Sequence, residues 1–444
     1  MKWNRGLWAG ACLILIAGCS KDSGDKTVAN GGTYSPIITG VSANNEPAVR
    51  GISNTFTAIV TNVNGYPLTY HWHSNAGVVT DSTHQTADWT APDSIGTFDL
   101  TVSIQAHDDT ANKDFFQTTT FHIFVDNEYT RWTSSPEVQF DPDPMPMPPG
   151  GAIFAQVTNP TTGAADVYST TAAGMAPVQL VTGFATLTSP SMRADGQQIA
   201  FAGKAASLDD GPSIWVLPGG GGDPSTAYPI ALRSAGQQLL TTPRFARAAN
   251  WLFYGSDSAR AGAPRPWFRD AFGLAAPEPV VVPGAFLAGA SYFNPGLGPD
   301  ANADGLPDSI VCPSYRFFGQ TNQQARGVFK WVTRPPQDTE TQWLADSAAT
   351  ELDWSPDGQH IVFSKINPAL GDRDIWVINA NSKDPTSARR ITFGPADDFH
   401  PRWAPDGLSV FFGSNRADHY GLNGIFNTER RGTNIWSVSK FDLP

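Results

Sequence analysis

The chain has 444 residues, of which 42 are Gly and 36 are Pro, while only 16% are charged. Abundant turn formers and few of the charges that cover helix surfaces point to an all-β protein, and the length points to two or three domains. A formal charge of −12 argues against nucleic acid as a partner, because phosphate binding needs a basic footprint.

In chain order, Lys2 and Arg5 precede an apolar stretch from Leu7 to Gly18. The stretch is too short for a membrane-spanning helix, which needs about 20 apolar residues, but it suits the central region of a secretory signal. It ends in Ile16-Ala17-Gly18-Cys19-Ser20, which resembles the bacterial lipobox. The resemblance implies that residues 1–18 are a lipoprotein signal peptide and that Cys19 is lipidated as the new N-terminus. Acyl chains at about 0.8 kcal/mol per buried methylene would hold the protein to a membrane. Ser rather than Asp at position 20 favours the outer membrane. Loss of Lys2 and Arg5 takes the formal charge from −12 to −14. Cys12 leaves with the signal and Cys19 carries lipid, so no intramolecular disulfide is expected. Cys312, within Ile310-Val311-Cys312, then reads as a buried core thiol. Residues 19–33, rich in Lys, Asp, Ser, Gly, Asn and Thr, read as a flexible tether.

Residues 34–127 alternate apolar and polar between closely spaced turn signals. Thr55-Phe56-Thr57-Ala58-Ile59-Val60, Leu68-Thr69-Tyr70-His71-Trp72 and Thr97-Phe98-Asp99-Leu100-Thr101-Val102 are examples. Period-two alternation in short segments predicts an antiparallel β-sandwich. The stretches around Trp72, Ala87-Asp88-Trp89-Thr90-Ala91-Pro92 and Gly96 to Val102 resemble bacterial Ig-like and PKD-like domains, a resemblance that implies a fold and no chemistry. His71 and His73 flank Trp72; a pair at i and i+2 can bind a metal, but solvent-facing polar residues fit the strand better. His107-Asp108-Asp109 reads as a strand end and turn.

The remainder repeats with a period of about 50 residues, within the range of propeller blades. Asp353-Trp354-Ser355-Pro356-Asp357-Gly358 and Arg402-Trp403-Ala404-Pro405-Asp406-Gly407 each lead into an apolar strand and then into Asp374-Ile375-Trp376-Val377 or Asn434-Ile435-Trp436-Ser437-Val438. Weaker copies begin at Pro190 and Pro243. Pro presets φ, Asp bonds its own backbone and Gly takes positive φ, which together define a tight turn between the two innermost strands. These repeats resemble the TolB-type propeller, with its PD40 or WD40-like repeats. The resemblance implies a six-bladed TolB-like β-propeller over residues 128–444, with blades beginning near Pro136, Leu187, Thr241, Ala290, Thr350 and Phe399. Tyr129-Thr130-Arg131-Trp132-Thr133 looks like the fourth strand of a blade and is expected to close the ring beside the last one. Two departures from the pattern stand out. Asp141 to Pro149 reads as a stiff, Pro-rich loop in place of the first turn. A long insertion, Ala417 to Thr433, interrupts the last blade and is the kind of loop on which binding residues sit.

Chemistry is sparse. Asp300-Ala301-Asn302-Ala303-Asp304-Gly305-Leu306-Pro307-Asp308 resembles the calcium loops of EF-hand-like repeats. That resemblance implies side-chain ligation by Asp300, Asn302 and Asp304, a carbonyl from Leu306, and Asp308 directly or through water. Val311 stands where a full EF-hand has Glu, and the competing reading is an elaborated Asp-Gly turn; calcium, if bound, would be structural. Asp397, Asp398 and His400 form a candidate acid/base cluster, against which stands a turn of solvated acids. No hydrolase elbow, zinc-protease helix motif or phosphate loop occurs. The chain is therefore expected to be a non-catalytic envelope lipoprotein that binds a protein or peptide, with a glycan as the alternative ligand. The alternative is a calcium-dependent carbohydrate-active or lactone-cleaving propeller enzyme.

Overall fold

The computed structural model describes residues 35–444, apart from 45–47, 146–150, 206–210, 234–239, 248–249, 258–263, 275, 281–289, 293, 304–305, 319–321, 334–340, 368–370, 394–395, 421–425, 429–432 and 440. The signal segment, Cys19 and the tether lie outside these residues. Among the described residues no helix is long and apolar enough to cross a membrane. The structure is all-β, and among the described residues its one helical element is a short 3₁₀ turn at Pro385–Ser387.

The chain divides into two compact units, residues 1–128 with 417–427, and residues 129–416 with 428–444. In the first, two four-stranded sheets carry the alternation read from the sequence. One pairs Ile37–Ala43, Ser53–Thr61, Thr86–Thr90 and Val78–Thr80 in that spatial order; the other pairs Ala48–Val49, Lys113–Asp126, Gly96–Asp108 and Leu68–Ser74. Their apolar faces share one core that includes Phe56, Trp72, Trp89, Val102 and Ile123. Both indoles are satisfied: Trp72 Nε1 donates to His84 O at 2.9 Å and Trp89 Nε1 to Ala76 O at 2.9 Å. His71 and His73 face solvent on either side of buried Trp72, as a strand period of two requires. Gly96–Asp108 ends in a turn in which Asp108 Oδ1 accepts the N–H groups of Thr110 and Ala111.

Among the described residues the second unit contains six sheets of at least four strands. Their innermost strands are Gln139–Met145, Phe184–Met192, Leu240–Phe245, Ala290–Tyr292 with Gly296–Leu297, Ala349–Trp354 and Asp398–Trp403. Each is followed by antiparallel neighbours that lead outward. The last sheet takes its outermost strand from the other end of the chain, because Glu128–Arg131 lies beside Asn434–Ser439. Trp132 N donates to Ile435 O at 2.9 Å and Trp132 Nε1 to Ser437 Oγ at 2.9 Å, extending that seam.

An apolar layer fills every gap between successive sheets. Met145, Val167 and Phe201 join the first to the second. Ile214, Leu252 and Tyr254 join the second to the third. Phe253, Cys312 and Trp331 belong to the layer between the third and fourth, Trp343 and Phe363 to the next, and Val377 and Phe412 to the one after. Phe154, Phe411 and Ile435 then join the sixth sheet to the first. A sheet with two apolar faces cannot bury both alone, so the stack closes on itself as a β-propeller.

The Asp-Gly turns form as their residue types require. In each of three sheets the carboxylate accepts the N–H two residues on: Asp195 from Gln197 at 3.0 Å, Asp357 from Gln359 at 3.0 Å and Asp406 from Leu408 at 2.9 Å. Gly196, Gly358 and Gly407 take φ of +71°, +70° and +72°. One expectation fails here. The Pro-rich segment is not a loop from Asp141 onward, because Gln139–Met145 is the innermost strand of the first sheet. Pro142 falls where the ladder breaks between Phe140 and Asp143, whereas Pro144 pairs in register with Ala152 on a strand that is the edge of its sheet, the place where a strand accepts proline. Of the 417–433 insertion, Arg416–Tyr420 and Phe426–Thr428 pair as a two-stranded ribbon; most of the rest lies outside the described residues.

Candidate functional site

The inner wall of the propeller is built from a recurrent irregularity. Every innermost strand contains one non-glycine residue at positive φ: Asp141 (52°), Ser189 (53°), Thr242 (47°), Asn294 (47°), Glu351 (52°) and His400 (52°). In five sheets the ladder shifts register just there, at Phe140/Asp143, Thr188/Ser191, Thr241/Arg244, Thr350/Asp353 and Phe399/Arg402; in the fourth, Asn294 separates two short strands. These are β-bulges, which re-aim side chains at a rim. Left-handed backbone in six residues of which none is Gly is strain that the surrounding structure must hold. Two residues further along come Asp143, Ser191, Arg244, Gly296, Asp353 and Arg402, so each sheet offers two successive positions to the wall.

What holds the bulges is a set of bonds from one sheet to the next. Asp141 Oδ2 accepts Ser189 N at 2.8 Å and Ser189 Oγ at 3.1 Å. Asp143 Oδ2 accepts Met192 N at 2.7 Å, and Ser191 Oγ accepts Phe245 N at 3.2 Å. Glu351 Oε2 accepts His400 N at 2.8 Å, and Asp353 Oδ2 accepts Trp403 N at 2.9 Å. Backbone donors at the bulges of the second, third and sixth sheets are thus satisfied by a neighbouring side chain rather than left orphaned.

His400 closes this circuit. Its side chain is 24% exposed and lies between two carboxylates, Nδ1 in close ion contact with Asp141 and Nε2 2.8 Å from Glu351 Oε1. Burial alone would favour neutral imidazole, but the charges of Asp141 and Glu351 outweigh it and push the pKa up to about 10. Burial likewise opposes ionisation of Glu351, yet His400, Arg373 and a bond from Ser364 hold it at about 2. Asp141 also lies below the usual carboxylate range, its burial being overcome chiefly by His400. The imidazolium is therefore a structural cation bridging the fifth, sixth and first sheets.

The sequence groups His400 with Asp397 and Asp398 and points to a turn of solvated acids; the structure corrects both points. Asp398 is fully buried and bonded to Arg416 Nη2 at 2.7 Å and to Ser414, while Asp397 takes Arg373 Nη2 at 2.8 Å. The partners of His400, Asp141 and Glu351, are remote in sequence. A signal for the wall did exist, in the X-Pro pairs Asp141-Pro142, Ser189-Pro190, Thr242-Pro243, Asn294-Pro295 and His400-Pro401.

Two cavities open on this wall. One, of about 380 Å³, is lined by Thr242, Asn294, Glu351 and Arg373 at the first tier. The other, of about 330 Å³, lies at the second tier among Asp143, Arg244, Arg247, Asp353, Arg402 and Trp403. In the latter, Arg244 Nη1 is 3.1 Å from Asp143 and Arg247 Nη2 is 3.4 Å from Asp353. Burial raises the pKa of both acids in spite of these arginines.

The candidate calcium loop folds back on itself. Gly298 N donates to Ser309 O at 2.9 Å, Asp308 N to Pro299 O at 2.8 Å, and Asp308 Oδ2 accepts Ala301 N at 3.1 Å. Asp300 is half-buried, Asn302 is exposed, and the Leu306 side chain packs on the core between the third and fourth sheets. Asp304 lies outside the described residues. Among those described, no group of three or more His, Cys, Asp or Glu is placed to hold a metal.

No protein-family model matches the chain, and no curated protein matches it in sequence. Solved structures similar to it include TolB from Acinetobacter baumannii, at 12% identity with a TM-score of 0.40, covering 77% of each chain. The β-propeller domain of the trilobed protease from Pyrococcus furiosus is similar at 12% identity and a TM-score of 0.36, over 63% of this chain and 77% of that one. A gluconolactonase from Xanthomonas campestris is similar at 9% identity and a TM-score of 0.44, over 70% of this chain and 89% of that one. Such values compare folds and transfer no ligand, substrate or partner to this all-β, propeller-bearing chain.

Proposed function

We propose that this chain is a non-catalytic lipoprotein of the bacterial envelope, anchored in the outer membrane through Cys19, that binds a protein or peptide at one mouth of its propeller. On this reading the six sheets are the blades of a TolB-type ring closed by the strand Glu128–Arg131, and the first unit is an Ig/PKD-like sandwich carried on the tether of residues 19–33. The observation that carries the proposal is the engagement of the wall's acid and base groups, His400, Asp141 and Glu351, with one another. A general base must shed and recover its proton near the working pH; an imidazole held charged up to about 10 between Asp141 and Glu351 does neither. The same engagement weighs against a lactone-cleaving or carbohydrate-active enzyme built on channel carboxylates. What the ring leaves available is concave surface on a rigid frame, which suits recognition. Calcium at Asp300, Asn302, Asp304, the Leu306 carbonyl and Asp308 belongs to the proposal as a structural ion.

The test is affinity capture with the mature chain from detergent-solubilised envelope, with and without calcium. A saturable protein or peptide partner, lost when residues 417–433 are deleted, is expected. Retention on glycans or turnover of a sugar lactone, with no partner, would overturn the reading.

A further inference from the structure

We propose that the second-tier cavity is a carboxylate-binding site in which Arg402, assisted by Arg244, receives the anion. Arg402 is only 5% exposed, yet its guanidinium meets no carboxylate among the described residues. Its bonds go to two backbone carbonyls, Pro401 O at 2.8 Å and Leu352 O at 3.4 Å, and its Nε has no partner. Arg244, 7% exposed, spends Nη1 on Asp143 and also leaves its Nε without a partner. A buried charge without a counter-ion costs several kcal/mol, so a protein that keeps one has a use for it.

Charge balance sets the ligand class. Three guanidiniums line the cavity, those of Arg244, Arg247 and Arg402, against two carboxylates, Asp143 and Asp353. One cation is in surplus, which matches one monoanionic group; a phosphate dianion would meet Asp143 and Asp353 with too little positive charge to offset them. The flat guanidinium fork fits a planar carboxylate through paired bonds. Phe245, Leu297 and Trp403 supply apolar wall, and about 330 Å³ lies within the range of small-ligand sites. Arg244 and Arg402 occupy equivalent places, Pro243-Arg244-Phe245 and Pro401-Arg402-Trp403, three sheets apart. The carboxylate can come from a small organic acid or from the C-terminus of a peptide. The peptide source rests on the binding function proposed above; the small-acid source does not.

The experiment is calorimetric titration of the mature chain in detergent with propionate, tetra-alanine, tetra-alanine C-terminal amide and inorganic phosphate. Saturable binding of propionate or tetra-alanine is expected, with no heat from the amide or phosphate, and a loss of about tenfold or more in affinity in Arg402→Gln. Arg402→Met should melt no lower than the parent without ligand, because it removes an unpaired buried charge. Binding of the amide as tightly as the acid, or unchanged affinity in Arg402→Gln, would overturn the proposal. So would silence from both acids together with a lower melting temperature for Arg402→Met, which would make Arg402 a structural donor to its two carbonyls. Propionate binding without tetra-alanine binding would support the site and identify a small acid as its source. Undiminished envelope capture by Arg402→Gln would leave the scaffold function standing and place its partner elsewhere on the ring.

Discussion

His400 shows how one side chain can join three sheets, and its charge state gives that role a pH signature. Its pKa rises from an ordinary 6.5 to about 10 on folding, so its contribution is complete below about 6.5 and lost as pH climbs through 10. Glu351 falls from 4.5 to about 2, so its contribution is complete above about 4.5 and lost as pH drops through 2. The clasp is therefore strongest between about 4.5 and 6.5, with Arg373 and Arg244 as the other charges facing its two acids. Denaturation across pH 6 to 10 should show the parent losing stability steadily, while His400→Ala begins about 3–5 kcal/mol lower and has a flatter profile in that range. Equal slopes would mean that the imidazole is neutral in the fold. None of this could be read from Asp397, Asp398 and His400 as neighbours in sequence, because the real partners are Asp141 and Glu351. Local spacing reports turns and strand faces; it does not report which blade lies across a ring.

At the level of the element, the Asp-Gly turns were the most readable feature, since their geometry rests on three adjacent residues. They are not equivalent, however. A Cβ on Gly358 would come within 2.5 Å of Pro299 Cγ, whereas on Gly407 the nearest atom is Pro356 Cδ at 3.7 Å. Both glycines sit at positive φ, so Gly407→Ala should cost about 1–2 kcal/mol from backbone strain alone, and Gly358→Ala measurably more. Urea denaturation of the two variants gives the ordering directly, and equal costs would mean that Pro299 and its loop yield freely. The inner strands were read less well. Pro142 and Pro144 suggested a loop, yet a bulge and a sheet edge are where strands accept proline. The X-Pro pairs were visible, but their side chains, Asp, Ser, Thr, Asn and His, share only a capacity to hydrogen-bond, and the fifth sheet breaks the series with Glu351-Leu352. What recurs is a backbone conformation, and residue type reports that only weakly outside glycine.

For the whole ring, stability depends on closure, because each sheet shares both of its faces. Removing residues 434–444 takes away the strand that sits between Ser409–Ser414 and Glu128–Arg131, and with it Ile435, Trp436 and Val438 from two apolar layers. The loss should spread beyond the sixth sheet, with unfolding no longer a single cooperative step. Cys312 makes this measurable from inside the molecule. It is fully buried in the fourth sheet, far along the chain from the closure, and burial pushes its thiol well above the ordinary range. A thiol reagent can reach it only when that part of the ring opens. Prompt labelling of the truncated chain would show that the ring opens as one body; labelling as slow as in the parent would show that the sheets part independently. A lone thiol sealed in the fourth sheet thus serves as a built-in clock for how often the protein breathes.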